Sequence, residues 1–258
     1  MVKLSIIIPA YNEERTIENT TNQYIEFFDK KMKRDYEIII VPNGCRDKTV
    51  EIVKKLSKKY KQVRYFDLGL LGEKGKAVIK GFELANGDLI GFVDADLSTS
   101  PKAFYNLVVN LKDNYGIIAS RWMRGSKVNV KQPLLRRMLS RTFNFFVRLI
   151  LGLRYIDTQC GSKLFKKEAI KQIYNKLNIT RWAFDVNLLY LMKLNGFKVI
   201  EVPTEWNETR KKSKLNIKSA VPEMFLSLIR LRLAYSKFKF IVDLSDRLYE
   251  NLILGERR

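Results

Sequence analysis

The feature that most restricts this chain is a repeated switch between two hydrophobic periods in its first 120 residues. Short runs rich in Ile, Val and Phe occupy Leu4–Ile8, Glu37–Val41, Val63–Phe66, Leu89–Val93 and Ile117–Ala119, each bounded by turn residues. Between them lie Glu13–Phe28, Asp47–Lys59, Lys74–Asn86 and Pro101–Lys112, with helical spacing of their apolar residues. Strands alternating with helices predict βαβ units and an α/β fold with a mostly parallel sheet covered on both faces. Sheets of this kind bind ligands at the carboxyl ends of their strands. Polar residues fall there, at Pro9–Glu14, Pro42–Asp47, Gly72–Lys76 and Asp94–Ser98.

The second half follows another pattern. Pro133–Leu153 and Ser219–Tyr235 have helical spacing but mix bulky apolar residues with arginine, among them Arg136, Arg137, Arg141, Arg230 and Arg232. Such helices lie in a bilayer interface, or pack their apolar stripes on the sheet. No linker, internal repeat or low-complexity tract divides the chain, which reads as one domain with a helical C-terminal extension.

Charge narrows the partners. Against 27 acidic residues stand 48 lysines and arginines, a formal net charge of +21. Nucleic acid, an anionic bilayer or phosphorylated small molecules suit such a surface. Aromatic residues do not interleave with the basic ones as a stacking platform, and no recognised nucleic-acid motif is present, so specific nucleic-acid binding is not expected. The chain has no histidine. That removes Ser-His and Cys-His catalysis, histidine proton shuttling and nearly every zinc-enzyme arrangement. Cys45 and Cys160 lie far apart and suggest no disulfide framework, which fits a reducing compartment. The first residues enter a strand pattern directly, so no signal peptide is expected. No uncharged apolar run approaches the length of a membrane span, and the expectation is a peripheral protein at the cytoplasmic face of a membrane.

Asp94-Ala95-Asp96 follows the run Leu89–Val93, and residues i and i+2 of an extended segment point to one side. Two aspartates converging there suit Mg²⁺ or Mn²⁺, held by one or two carboxylates plus phosphate oxygens. Such a triplet alone is more often a turn. Gly72-Glu73-Lys74-Gly75-Lys76 opens a helix, where glycine lets the backbone approach a ligand and helix amides with two lysines attract anions; a flexible loop with a solvated lysine pair reads equally well. Arg121, Arg124, Arg136, Arg137 and Lys163 form a scattered cationic set, each singly readable as surface charge. A phosphate acceptor would need several of them together. Asp157–Lys163 and Arg181-Trp182-Ala183-Phe184-Asp185 are polar clusters in apolar surroundings that composition does not explain.

These residues resemble a family. Ser5–Glu14 and Asp94–Thr99 are similar to the opening strand and the metal motif of inverting family 2 glycosyltransferases. Asp157–Gly161, Lys163–Phe165, Arg181–Asp185, Leu188–Tyr190, Glu201–Asn207 and Ser213–Leu215 resemble, more narrowly, the dolichyl-phosphate β-glucosyltransferases, and the likeness runs from about residue 3 to 235. The resemblance implies a nucleotide-diphospho-sugar transferase fold (GT-A, Rossmann-like), with 1–218 as the transferase domain and 219–258 as a membrane-associating helical extension of the same unit. It implies a nucleotide-sugar donor, a dolichyl or polyprenyl phosphate acceptor and an anionic membrane surface as partners. Pro9, Tyr11, Glu13 and Asn43 would border the base and ribose, with Lys74, Lys76 and Ala95 beside the donor. Asp94 and Asp96 would hold the diphosphate through Mg²⁺ or Mn²⁺, Asp96 ahead of Asp94 as the direct ligand. Arg121, Arg124, Arg137 and Lys163 would steady the acceptor phosphate, and Asp185 would contact the sugar or orient a cation.

Two departures stand out. The relatives' second strand ends in two aspartates before a glycine, where this chain has Pro42-Asn43-Gly44, which leaves UDP and GDP both open. The second concerns the relatives' N-terminal membrane span: none is expected here, which leaves attachment to the basic amphipathic helices. The activity expected is transfer of a hexose, glucose from UDP-glucose first, to a polyprenyl phosphate with inversion. The alternatives are mannose from GDP-mannose, a sugar hydroxyl on a lipid-linked glycan as acceptor with Asp185 as base, and a basic nucleic-acid-binding protein. Oligomeric state is left open.

Overall fold

The computed structural model describes residues 3–69, 72–129, 134–177, 183–209, 217–242 and 244, with the backbone alone at 217–221. The five apolar runs form strands β1 (Leu4–Ala10), β2 (Tyr36–Pro42), β3 (Val63–Tyr65), β4 (Leu89–Phe92) and β5 (Gly116–Ser120). Helices α1 (Ile17–Met32), α2 (Thr49–Lys59), α3 (Lys74–Leu84) and α4 (Pro101–Asn110) connect them. Then follow β6 (Lys127–Val128), α5 (Leu134–Leu151), β7 (Lys163–Lys166), α6 (Lys167–Ile173), α7 (Phe184–Leu194), β8 (Val199–Pro203), β9 (Glu205–Trp206) and α8 (Ile217–Ala234).

The main sheet has the order β3-β2-β1-β4-β7-β5-β8, and β7 is the single antiparallel member, between β4 and β5. Alternation along β1 explains its double burial: Ile6 and Ile8 join one core cluster, while Ile7 joins the other. Strand order reverses beside β1, so a crevice opens at the carboxyl ends of β1 and β4. Because β7 runs backwards, its first residue, Lys163, pairs with Phe92 at the carboxyl end of β4. The loop leading into β7 is thereby delivered to the same edge.

Helix boundaries follow local chemistry. Helix α4 starts where the Ser100 hydroxyl accepts from the Ala103 N–H (3.2 Å), with Pro101 in its first turn. Helix α1 starts at Ile17, four residues later than its spacing suggests, because Glu13 is held in a turn by its N–H to Thr49 Oγ1 (2.8 Å). Helix α5 ends at Gly152, which adopts φ 63° and donates to the Arg148 carbonyl. Helix α8 packs on α5 through Phe225 and Phe146 (ring centroids 4.8 Å apart) and sends Leu228 and Leu231 into the core. Among the described residues no helix is long and apolar enough to cross a membrane.

Candidate active site

The loop after β4 is stapled to α1. The Thr20 hydroxyl donates to the Ala95 carbonyl (2.9 Å) and the Tyr24 hydroxyl to the Thr99 carbonyl (3.0 Å). Leu97 takes a left-handed conformation (φ 60°), which turns the chain so that the Ser98 N–H donates to Asp96 Oδ1 (3.0 Å). Asp96 is largely buried, whereas the Asp94 side chain is 31% exposed and accepts from Lys74 Nζ at 2.7 Å. Burial alone would lower the Lys74 ammonium; Asp94, Asp185 and Asp96 outweigh it and hold the group above its ordinary value. The same field acts on Tyr24, whose phenol is pushed up by burial and then by Asp94 and Asp96. Three carboxylates therefore share one electrostatic neighbourhood.

Asp185 lies in the first turn of α7 and is buried. The Lys163 ammonium, fully buried, donates to Asp185 Oδ1 and to the Cys160 carbonyl, both at 2.5 Å. Both Lys163 and Lys74 lie over the Phe92 ring, at 5.4 and 5.7 Å from its centroid. Lys163 thus faces inward and braces the loop before β7.

On the nucleotide side, Asn43 Nδ2 donates to the Glu73 carbonyl, and its Oδ1 is buried without a hydrogen-bond partner. Gly44 (φ 72°) packs so tightly that a Cβ there would lie 2.8 Å from the Gly72 backbone. Tyr11, 46% exposed, sits beside this turn, and Pro9 lies on β1 just before it. Glu13 and Lys76 serve their own helices: Glu13 Oε2 accepts from the Thr16 hydroxyl (2.8 Å), and Lys76 pairs with Glu73 (3.2 Å).

A cavity of about 270 Å³ opens across from the aspartates, lined by Arg121, Trp122, Ser126, Arg137, Arg141 and Trp206. Arg121 makes a two-pronged pair with the fully buried Asp157 (Nε–Oδ2 2.7 Å, Nη2–Oδ1 2.9 Å). Burial works to raise the Asp157 carboxyl, but the Arg121 guanidinium overrides it and holds the group below the usual carboxylate range. Arg121, Arg137 and Arg141 all lie within 5.9 Å of the Trp122 ring centroid. Arg137 Nε and Trp122 Nε1 are buried donors without a partner. Trp206 bridges to Thr99, and the Asn207 N–H donates to the Ser98 carbonyl, so the cavity adjoins the aspartate loop.

Gly161 closes the contact between the two sides. A Cβ at this position would lie 1.8 Å from Asp94 Oδ2, so only glycine lets the loop before β7 rest on the aspartate.

Among the residues singled out in the sequence, Lys74, Asp94, Asp96, Asp185 and Lys163 come together, and Arg121 and Arg137 share the cavity. Arg124 is exposed on the turn beyond Arg121 and does not line the cavity. Arg181, Trp182 and the Ser213–Leu215 segment lie outside the described residues. Sequence reasoning gave no site role to Trp122, Trp206, Gly161 or Arg141. Asp94 and Asp96 offer the hard oxygen ligands that suit a divalent cation, which would complete its shell with phosphate oxygens; among the described residues no group of three or more acidic or thiol ligands is placed to hold one by itself.

The profile of glycosyl transferase family 2 matches residues 5–174. The dolichyl-phosphate beta-glucosyltransferase of Dictyostelium discoideum is 34% identical over 247 residues, covering 91% of this chain and 75% of that protein. Its Homo sapiens counterpart is 32% identical over 223 residues, covering 80% and 68%. Among solved structures, glucosyl-3-phosphoglycerate synthase of Mycobacterium tuberculosis, in complex with Mn²⁺, UDP-glucose and phosphoglyceric acid, superposes with a TM-score of 0.64. It is 16% identical, and the match covers 90% of this chain and 79% of that one. That likeness shows the nucleotide-diphospho-sugar transferase fold; the family profile and the curated relatives show that the chain is a glycosyltransferase of family 2.

Proposed function

We propose that this protein transfers glucose from UDP-glucose to a polyprenyl phosphate at a lipid surface, inverting the anomeric centre. The observation that carries the reading is the arginine-tryptophan cavity, with its unpartnered buried donors at Arg137 Nε and Trp122 Nε1, set against the aspartate loop. Arg121, Arg137 and Arg141 offer the charge and the directed N–H groups that a phosphate monoester needs. Such an acceptor is already nucleophilic near neutral pH and calls for no deprotonating base, which suits a chain without histidine. Asp185, the base that a hydroxyl acceptor would require, is buried and pinned to Lys163. The curated relatives named as dolichyl-phosphate beta-glucosyltransferases point the same way.

On the donor side, Asn43 gives one of its two amide N–H groups to the Glu73 carbonyl, and its Oδ1 is buried without a hydrogen-bond partner. That oxygen suits the imide N–H of uracil and equally the ring N–H of guanine. Asp94 and Asp96 would hold Mg²⁺ or Mn²⁺, which supplies charge stabilisation to the departing diphosphate. Lys74 adds a fixed positive charge beside Asp94, and the arginines hold the attacking oxygen in line. Because one displacement inverts the centre, an α-linked donor yields a β-linked glycolipid.

Attachment to lipid is part of the proposal. Leu134, Leu135, Met138, Phe145 and Leu149 of α5 are exposed, as are Leu226 on α8 and Phe238 and Phe240 beyond it. Each basic group beside an anionic surface contributes about 1 kcal/mol, so a handful suffices for reversible binding.

The test is direct. The protein is incubated with Mg²⁺ or Mn²⁺, a short polyprenyl phosphate, and UDP-glucose or GDP-mannose in parallel, and glycolipid is sought by mass spectrometry. Hexosyl phosphoprenol from UDP-glucose is expected, falling by about 10³-fold in Asp96→Ala. Product from GDP-mannose alone overturns the donor assignment, and no product from either overturns the acceptor.

A further inference from the structure

The acceptor cavity is built from two pieces that approach from different directions. Arg137 and Arg141 ride on α5. Arg121 follows β5 and is fixed by Asp157, which belongs to the loop between α5 and β7. That loop is anchored to the sheet at three points. Glu201 of β8 accepts from the Ile156 N–H (2.8 Å) and the Asp157 N–H (2.7 Å), Arg121 grips Asp157, and Lys163 holds the Cys160 carbonyl.

A fourth anchor comes from α5 itself. Asn144 Oδ1 accepts both the Thr158 N–H (3.0 Å) and the Thr158 hydroxyl (2.7 Å), and its Nδ2 donates to the Ser140 carbonyl (2.9 Å). Asn144 is 1% exposed, between residues where the buried side of α5 otherwise carries Val147 and Leu151. Asparagine is a poor helix former, and a buried amide costs stability unless its hydrogen bonds are made. An apolar residue would pack there without that demand, so packing alone does not account for it.

We infer that Asn144 is a positioning residue for the phosphate acceptor, locking α5 to the Asp157 loop so that Arg137 and Arg141 keep one fixed register against Arg121. The inference rests on the acceptor cavity proposed above. Its mechanical content is simple: three guanidinium groups can close on one phosphate only while the helix and the loop that hold them do not slide. Asn144 touches no substrate. It acts through Thr158 and Asp157.

The experiment compares Asn144→Leu, Thr158→Val and Thr158→Ser with the unaltered protein. Expected for Asn144→Leu is a rise in KM for a short polyprenyl phosphate of about tenfold, the loss of two hydrogen bonds to one acceptor atom. KM for UDP-glucose and the calorimetric affinity for UDP stay unchanged. Thr158→Val, which removes the hydroxyl and keeps the backbone bond, shifts acceptor KM in the same direction by less, and Thr158→Ser restores it. Should Asn144→Leu fail to fold, the valine-serine pair decides alone. Unchanged acceptor KM in the folded variants, or equal shifts in both KM values, overturns the inference. Tryptophan fluorescence in a Trp182→Phe background, where Trp122 and Trp206 are the remaining emitters, reads binding of the polyprenyl phosphate, or of inorganic phosphate, without turnover. If the unaltered protein transfers nothing, the acceptor reading has failed, while weakened quenching in the variants still supports the lock and unchanged quenching removes it.

Discussion

The donor and acceptor sides of this site are built by different means. The donor side hangs on β1 to β4, joined in turn by α1, α2 and α3, and its residues follow the strands in chain order: Tyr11 after β1, Asn43 after β2, Lys74 after β3, then Asp94 and Asp96 after β4. Its central ion pair, Lys74–Asp94, stays about one-third exposed. The acceptor side is assembled from pairs far apart in the chain, Arg121 with Asp157, Asp157 with Glu201, and Asn144 with Thr158. Its central pair, Arg121–Asp157, is shut from solvent at 9% and 0% side-chain exposure. An open ion pair can be taken apart and remade around an incoming charge. A closed one holds a shape.

That difference is most easily broken by removing one partner from each pair. Arg121→Gln leaves a buried carboxylate uncompensated and should cost about 3–5 kcal/mol of stability, read from the urea midpoint. Lys74→Gln should cost no more than about 1 kcal/mol, while donor KM rises. Equal midpoint shifts would mean that the two pairs do the same job and that the contrast is false.

A smaller effect is expected where the two sides touch. Gly161→Ala drives a Cβ into Asp94, and the aspartate must swing, because it is the freer of the two. The expected result is a fall in kcat of about 10²-fold with an urea midpoint near that of the unaltered protein, since misplacement rather than unfolding is the lesion. Full activity in the folded variant would show that Asp94 needs no support from the loop before β7.

The same contrast explains what the sequence disclosed. Local periodicity marks β1 to β5 and α2 to α4 closely, and the end-of-strand rule alone places Asn43, Lys74, Asp94 and Asp96 in one crevice. Asp157–Gly161 was visible as a cluster without a reason. Its reason is tertiary: Gly161 is required by Asp94, sixty-seven positions earlier, and Asp157 by Arg121. Lys163 stood out as a candidate phosphate ligand because it is cationic and near the cluster, yet β7 runs antiparallel and turns it into the core. A single-strand reversal of that kind leaves no mark in hydrophobic spacing. Trp122 and Trp206 meet only because β5 pairs with β8, a register that spacing alone does not specify.

The finest expected difference lies in the two thiols, one on each side. Cys45 is half-buried in the turn after Asn43 and Gly44, its Sγ donating to the Ala10 carbonyl at 3.3 Å. Cys160 is fully buried in the acceptor loop, and burial with Asp157 nearby pushes its thiol up to about 12. At pH 8 its thiolate fraction is then on the order of 10⁻⁴, and only the thiolate reacts. A maleimide should therefore label Cys45 first, with UDP and Mg²⁺ slowing it by covering that turn. Labelling of Cys160 should wait for the loop to open, so its rate measures how tightly the acceptor side is closed. In Asn144→Leu that rate should climb while Cys45 labelling stays constant, because only the acceptor side has lost an anchor. Matching rates at both cysteines in the folded, unaltered protein would instead place the two sides in the same mobile state, and the division between an open donor side and a locked acceptor side would not survive.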